Sequence, residues 1–301
     1  MAMGQTLIQK YSKNFAALKE NSVAAAKIDE TNIYQSANIS NRPMMWQILD
    51  EVLLPGSGLG NIENFKDFYE QVKAGKSGLI LSEHYTNLDL PEIVYFLEKQ
   101  GSGWAKEFSE KIVAVAGMKL NEADPVVRAF TEAFTRVVIY PTRSLEKLSP
   151  EEKAEEEARA RKINFASMRA MDACKKRGEV ILVYPAGTRY RPGKPETKRG
   201  LREIDSYLRL FDIMILISNN GNCLRINPEN PENMLFDLVE KDLVLHTASP
   251  VINCKEFRKN VLDALPADEP DPKQKTIDRV MELLQEQHDK VEEERLKKIN
   301  G

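Results

Sequence analysis

The sequence predicts an α/β fold, with a largely parallel mixed sheet flanked by helices and a small helical domain at the N-terminus. From residue 78 onward, short β-branched runs alternate with amphipathic stretches of helical length. The longest apolar runs, at residues 112–116, 180–183 and 213–217, have the length of strands. They fall far short of the ~20 residues that span a bilayer.

The helical domain is predicted over residues 1–75. Its apolar residues recur mostly three or four positions apart, as Tyr11, Phe15 and Leu18 do. Asn61 is placed to cap the last helix of this segment.

The α/β domain is predicted over residues 76–301. Its predicted strands are residues 78–82, 111–116, 136–140, 179–184, 213–218 and 243–246. The predicted helices between them are residues 90–100, 125–134, 150–177 and 201–211. A final helix follows Pro272 and carries an apolar stripe through Ile277, Val280 and Leu284.

Charge and composition exclude several classes of protein. The 301 residues hold 43 Lys and Arg against 46 Asp and Glu, a net charge of -3, so no nucleic-acid partner is expected. Three cysteines without paired spacing and three widely separated histidines predict neither a disulfide framework nor a metal site, and no cofactor is expected. The first thirty residues lack the apolar core of a secretory signal. We therefore expect a cytoplasmic protein, peripheral to a membrane at most.

The first candidate catalytic cluster follows the predicted strand at residues 78–82. His84 falls in the loop at the carboxyl end of that strand, where the sites of α/β sheets usually lie. Asp89 begins the next helix, and with Glu92 it has the spacing of a helix cap. A carboxylate fixed there would set the tautomer of His84 and stabilise its imidazolium. An ordinary cap beside an ordinary loop histidine remains the alternative.

A basic cluster follows the predicted strand at residues 179–184. Between Arg189 and Arg202 six basic residues face one acid, Glu196, for a local charge of +5. Guanidinium groups bind phosphate bidentately, and Gly187 would let backbone amides approach an anion. With Arg143 after a third strand, the three strand ends predict a base beside an anion clamp. A solvated basic loop is the alternative.

Both clusters resemble motifs of the glycerolipid acyltransferases. Residues 84–89 match the His-x4-Asp motif of that family, and Pro-Ala-Gly-Thr-Arg at 185–189 is similar to its Pro-Glu-Gly-Thr-Arg motif. The chain looks most like the soluble, plastid-type glycerol-3-phosphate acyltransferases over residues 78–192. Ala186 replaces the usual Glu, and Ser144 stands where the plastid type has a second cationic or imidazole group.

The resemblance implies transfer of a fatty acyl group from acyl carrier protein or coenzyme A to the sn-1 hydroxyl of glycerol 3-phosphate, which gives lysophosphatidate. It implies His84 as the general base and Asp89 as its partner. The substrate-binding residues that it implies are Arg143, Gly187, Thr188, Arg189 and Arg191. It also allows peripheral contact with a membrane, and the plastid stroma as location if a transit peptide has been removed.

Other functions stay open. Acylation of lysophosphatidate would use the same motifs, although such enzymes usually sit at the membrane. A non-catalytic phospholipid- or phosphate-binding protein would need the arginines but not His84 beside Asp89. The basic residues that extend the run, Lys194, Lys198, Arg199 and Arg202, are candidates for docking an acidic carrier protein, with solvated surface as the alternative.

A serine hydrolase is disfavoured. It would need a Gly-x-Ser-x-Gly turn after a buried strand. The only similar string, at residues 56–60, follows Leu53-Leu54-Pro55. The sequence predicts a glycine-rich loop there.

Overall fold

The computed structural model describes residues 4–122, 124–145 and 148–300. Its α-helices are α1 Leu7–Lys10, α2 Ser12–Glu20, α3 Arg42–Val52, α4 Ile62–Lys73, α5 Asp89–Lys99, α6 Gly103–Lys111, α7 Lys119–Glu122, α8 Pro125–Thr131, α9 Thr142–Leu145, α10 Pro150–Lys176, α11 Ile204–Leu210, α12 Cys254–Asp263 and α13 Pro272–Asn300. Its strands are β1 Tyr34–Gln35, β2 Gly58–Gly60, β3 Gly78–Ser82, β4 Ile112–Gly117, β5 Arg136–Ile139, β6 Val180–Val183, β7 Ile213–Asn220, β8 Leu224–Arg225, β9 Leu238–Val239, β10 Leu245–Ala248 and β11 Ile252–Asn253. The predicted α/β class, with mixed and mostly parallel strands flanked by helices, is confirmed.

The chain divides into two compact units. The first contains Met1–Lys10, Ile48–Lys111 and Leu182–Gly301, and the second contains Tyr11–Gln47 and Ile112–Ile181. Residues 1–75 are therefore shared between the units, and a separate helical domain over them stays a prediction.

The first unit is built on strands in the order β3-β7-β10-β2. β3 runs parallel to β7, with Gly78 opposite Ile213 and Ser82 opposite Ile217. β10 is antiparallel to β7 and parallel to β2, and β11 pairs with the start of β7. Every residue of β3 and β7 is buried, because helices such as α4 and α13 pack on β7. A site at the end of β3 is thus built on a rigid strand.

The second unit holds a smaller set of strands. β4 runs parallel to β5, and β1 is antiparallel to β5. The long helix α10 packs on β5. Its start is fixed by a capping box, in which Ser149 and Glu152 satisfy each other's backbone N–H groups.

In the region of β2, two local predictions need correction. The sequence predicts a glycine-rich loop at residues 56–60, but part of it is strand β2, parallel to β10. Gly60 permits that pairing, because a Cβ there would lie 2.3 Å from the Oγ1 atom of Thr247. Asn61 occupies the N-cap position of α4 as predicted, but its side chain makes no capping hydrogen bond; its Nδ2 donates instead to the carbonyl of Ala248, at 3.1 Å.

Within the described part of the chain, no helix is both long enough and apolar enough to cross a bilayer.

Candidate active site

His84 and Asp89 meet in the loop between β3 and α5. The imidazole Nδ1 lies 2.8 Å from Oδ2 of Asp89. The same carboxylate accepts hydrogen bonds from the backbone N–H groups of Tyr85, at 2.7 Å, and Thr86, at 3.1 Å, and from the Thr86 hydroxyl. These donors hold the carboxylate in place. A carboxylate acceptor at Nδ1 keeps the imidazole proton on that nitrogen and leaves Nε2 as the basic atom.

Asp89 is not the helix cap that the sequence predicts. α5 begins at Asp89, and its N-cap position is Leu88. The carboxylate turns back to the loop that precedes the helix, while the N–H of Glu92 donates to the carbonyl of Leu88. Its charge still lies in the first helical turn, where the helix dipole favours an anion. The Asp89 side chain therefore contacts His84 and the loop residues before the helix.

The residues that flank the second motif touch His84 in two ways. The ring of Tyr184 stacks on the imidazole, with centroids 3.9 Å apart and planes 9° apart. The N–H of Tyr190 donates to the carbonyl of His84 at 2.7 Å. The loop after β6 thus fixes both the ring and the backbone of the candidate base, and the two predicted strand ends lie together.

His84 opens onto a small cleft at the protein surface. The first motif contributes Glu83 and Tyr85 to its wall, and the second contributes Ala186 and Tyr190. The His84 side chain is 18% exposed and that of Asp89 is 3% exposed. The pair therefore has a shielded carboxylate and an accessible imidazole, as general base catalysis requires.

Arg189 and Arg191 are paired with carboxylates. Arg189 forms a buried ion pair with Asp237, whose side chain is 0% exposed. Burial raises the pKa of the Asp237 carboxyl, although Arg189 opposes that rise. Arg191 binds Glu232 at 2.5 Å. An incoming phosphate would have to compete with these carboxylates, so the arginine clamp stays a prediction.

The loop that carries these arginines is closed at its base. The N–H of Leu201 donates to the carbonyl of Pro185 at 2.8 Å, and the N–H of Gly187 donates to that of Tyr184, also at 2.8 Å. Gly187 adopts φ +64°, and a Cβ there would lie 2.5 Å from Leu201 Cδ1. The Gly187 amide is thus used within the loop, and the approach of other backbone amides of this loop to an anion stays a prediction.

Two further residues, Thr188 and Arg143, are predicted to bind substrate. Thr188 is half-buried in the same loop. Arg143 belongs to helix α9, and its side chain lies outside the described part of the chain.

Sequence reasoning missed a buried polar pair that includes Glu92 of α5. His246 is fully buried, with Nε2 3.0 Å from Oε2 of Glu92 and Nδ1 2.8 Å from Oδ1 of Asn219. Burial raises the pKa of the Glu92 carboxyl, and the hydrogen bond to His246 opposes that rise. Asn219 was signalled by its position, since it is a polar residue at the end of a fully buried strand.

Asn219 connects this pair to the residue that precedes His84. Its Nδ2 donates to the carbonyl of Glu83 at 2.7 Å, and its backbone N–H donates to Oε2 of Glu83 at 3.0 Å. The same Oε2 lies 2.7 Å from Nδ1 of His288 on α13. The backbone that enters the candidate site is thus anchored to β7 and to the last helix.

No family model matches this chain, and no curated protein is similar to it. Its class is therefore defined by the α/β fold and by the His84 site alone. Function has to be inferred from the side chains gathered there.

Proposed function

We propose that the protein is an acyltransferase that moves a fatty acyl group from an acyl thioester to the sn-1 hydroxyl of glycerol 3-phosphate, which forms lysophosphatidate. The observation that carries the proposal is the His84–Asp89 pair, joined at 2.8 Å at the edge of an open cleft. The basic loop beside the cleft supports an anionic acceptor.

The chemistry needs only one base. A thioester is already activated, so no covalent enzyme intermediate is required. Nε2 of His84 takes the proton of the acceptor hydroxyl as its oxygen attacks the thioester carbonyl. The carbon–sulfur bond then breaks, and the departing thiolate takes the proton from the imidazolium. Asp89 stabilises that imidazolium. A general base such as His84 typically raises the rate ~10²–10⁴-fold.

The three cysteines of the chain support a cytoplasmic location. Cys174, Cys223 and Cys254 are all free and buried. Free thiols persist where the thiol pool is kept reduced. We propose the cytoplasm, or the equivalent compartment of a plastid, as the place of the reaction.

The direct test is labelled acyl transfer. Glycerol 3-phosphate and lysophosphatidate are offered side by side, each with acyl carrier protein and with coenzyme A as the acyl carrier. We expect product from glycerol 3-phosphate, and its loss in His84→Ala. Product from lysophosphatidate alone would indicate that the protein acylates lysophosphatidate instead of glycerol 3-phosphate. Binding of either acceptor without product under all four conditions would indicate a non-catalytic binding protein.

A further inference from the structure

Most of the basic residues between positions 189 and 202 are neutralised by acids. The ion pairs are Arg189 with Asp237, Arg191 and Lys194 with Glu232, and Arg202 with Asp271. Among the described residues, Lys198 and Arg199 have no ion-pair partner, and of these two only Lys198 lines the His84 cleft. The positive charge that this cleft offers to a ligand therefore comes from Lys198.

The contacts of Lys198 hold its ammonium without cancelling the charge. Nζ lies 5.8 Å from the ring centroid of Tyr85 and 5.1 Å from that of Tyr190. It also donates a hydrogen bond to Oε1 of Gln285 on α13. All three partners are uncharged, and a cation held on aromatic faces keeps its attraction for an anion. An ammonium has three donors, so further hydrogen bonds remain for a ligand.

We propose that Lys198 binds the phosphate of the acceptor in the His84 cleft. This inference rests on the proposed function, because that function supplies the acceptor. Glycerol 3-phosphate has a three-carbon chain, so its phosphate stays close to the hydroxyl that His84 deprotonates. A phosphate ligand must then share the cleft with the base, and Lys198 is the cation that does so.

Arg189 is poorly suited to the same task. Its partner Asp237 is fully buried, and the Oδ1 atom of that carboxylate has no hydrogen-bond partner among the described residues. Moving the guanidinium to a phosphate would leave a buried carboxylate uncompensated, which is costly. Arg189 therefore acts as a positioning residue that fastens the loop, and Lys198 contacts the ligand.

The test compares Lys198→Met with Lys194→Met in the full chain. Lys194 belongs to the same loop but is more than half exposed and lies beside Glu232. Glycerol 3-phosphate is titrated calorimetrically without an acyl donor, with glycerol as the phosphate-free control. We expect Lys198→Met to weaken binding at least tenfold, Lys194→Met to change it less than twofold, and Lys198→Arg to restore part of it.

Kinetics separate this inference from the proposed function. In the transfer assay Lys198→Met should raise the KM for glycerol 3-phosphate tenfold or more, with little change in the KM for the acyl donor. An unchanged KM and an unchanged affinity in Lys198→Met would overturn the role of Lys198 while transfer itself stands. Binding that depends on Lys198 in a protein that transfers no acyl group would support the anion site and refute the acyltransferase.

Discussion

Every histidine of this chain lies against a carboxylate, yet the three pairs differ in what surrounds them. The pairs are His84 with Asp89, His288 with Glu83, and His246 with Glu92. All three carboxylates come from one ten-residue stretch at the end of β3 and the start of α5. The distances, from 2.7 to 3.0 Å, do not distinguish the pairs, so a histidine–carboxylate contact cannot by itself identify a base.

Access to a substrate distinguishes the His84–Asp89 pair from the buried His246–Glu92 pair. Both ring nitrogens of His246 are occupied, by Glu92 and by Asn219, and the side chain is fully buried. No nitrogen is left to receive a proton from a substrate. His84 uses only Nδ1 for Asp89 and lies at the edge of the cleft.

His288 is the closer comparison, because its side chain is as exposed as that of His84, at 18%. Its Nδ1 also lies 3.5 Å from the hydroxyl of Tyr85, and His288 is not among the described residues that line the cleft. His84 lines the cleft and stacks on Tyr184. The environment thus predicts one base among three similar pairs.

The largest expected effect is on the rate. His84→Ala should lower kcat for acyl transfer by ~10²–10⁴-fold, because the proton acceptor is lost. His288→Ala serves as the matched control, with an expected change of less than about fivefold. Steady-state kinetics on both variants, with folding checked by circular dichroism, decide the point. Similar losses of kcat in His84→Ala and His288→Ala would contradict the assignment of His84 as the base.

The buried pair should govern stability instead. His246→Leu leaves the carboxyl of Glu92 buried without its imidazole partner, which typically costs about 3 kcal/mol in free energy of unfolding. Adding Glu92→Leu should recover part of that loss, since paired apolar replacements are often nearly neutral. Urea denaturation measures both. A double variant no more stable than His246→Leu would show that the two side chains are not coupled.

Asp89→Asn tests the carboxylate of the candidate base. An amide no longer stabilises the imidazolium of His84, so kcat should fall by at least about tenfold. Stability should fall by only about 1 kcal/mol, because the amide oxygen can still accept from the N–H groups of Tyr85 and Thr86. An active variant that unfolds easily would reverse this assignment and make Asp89 a purely structural residue.

The smallest effect is expected at Thr86. Its hydroxyl donates to Asp89 Oδ1 at 3.2 Å and accepts from the N–H of Leu88 at 2.9 Å. Thr86→Val removes both contacts at nearly constant volume, which should lower kcat about two- to fivefold and stability by about 1 kcal/mol. Kinetics and denaturation on one sample measure both quantities. A rate loss as large as that of Asp89→Asn would mean that the Thr86 hydroxyl positions the Asp89 carboxylate more than the backbone N–H groups of Tyr85 and Thr86 do.

The contact of His84 with Asp89 was predictable from the sequence, and distant pairing was not. β3 has the predicted bounds, and His84 meets Asp89 because only five positions separate them. In contrast, Arg189 is 48 positions from Asp237, and His246 is 154 positions from Glu92. Neither periodicity nor motif spacing carries information about such partners. The sequence therefore could not predict that Arg189 and Arg191 form ion pairs with acids of the same chain.

The hydrogen bond between Leu201 and Pro185 has an evolutionary consequence. Because it closes the segment at its base, residues can be gained or lost between these two positions without displacing β6 or α11. The entropic cost of such changes is small, roughly 0.6 kcal/mol for each doubling of loop length. The contact of Tyr190 with the His84 carbonyl and the buried ion pair of Arg189 with Asp237 have to be kept. Changes in the loop at residues 185–201 would therefore alter which anions the site accepts, while His84 stays the same.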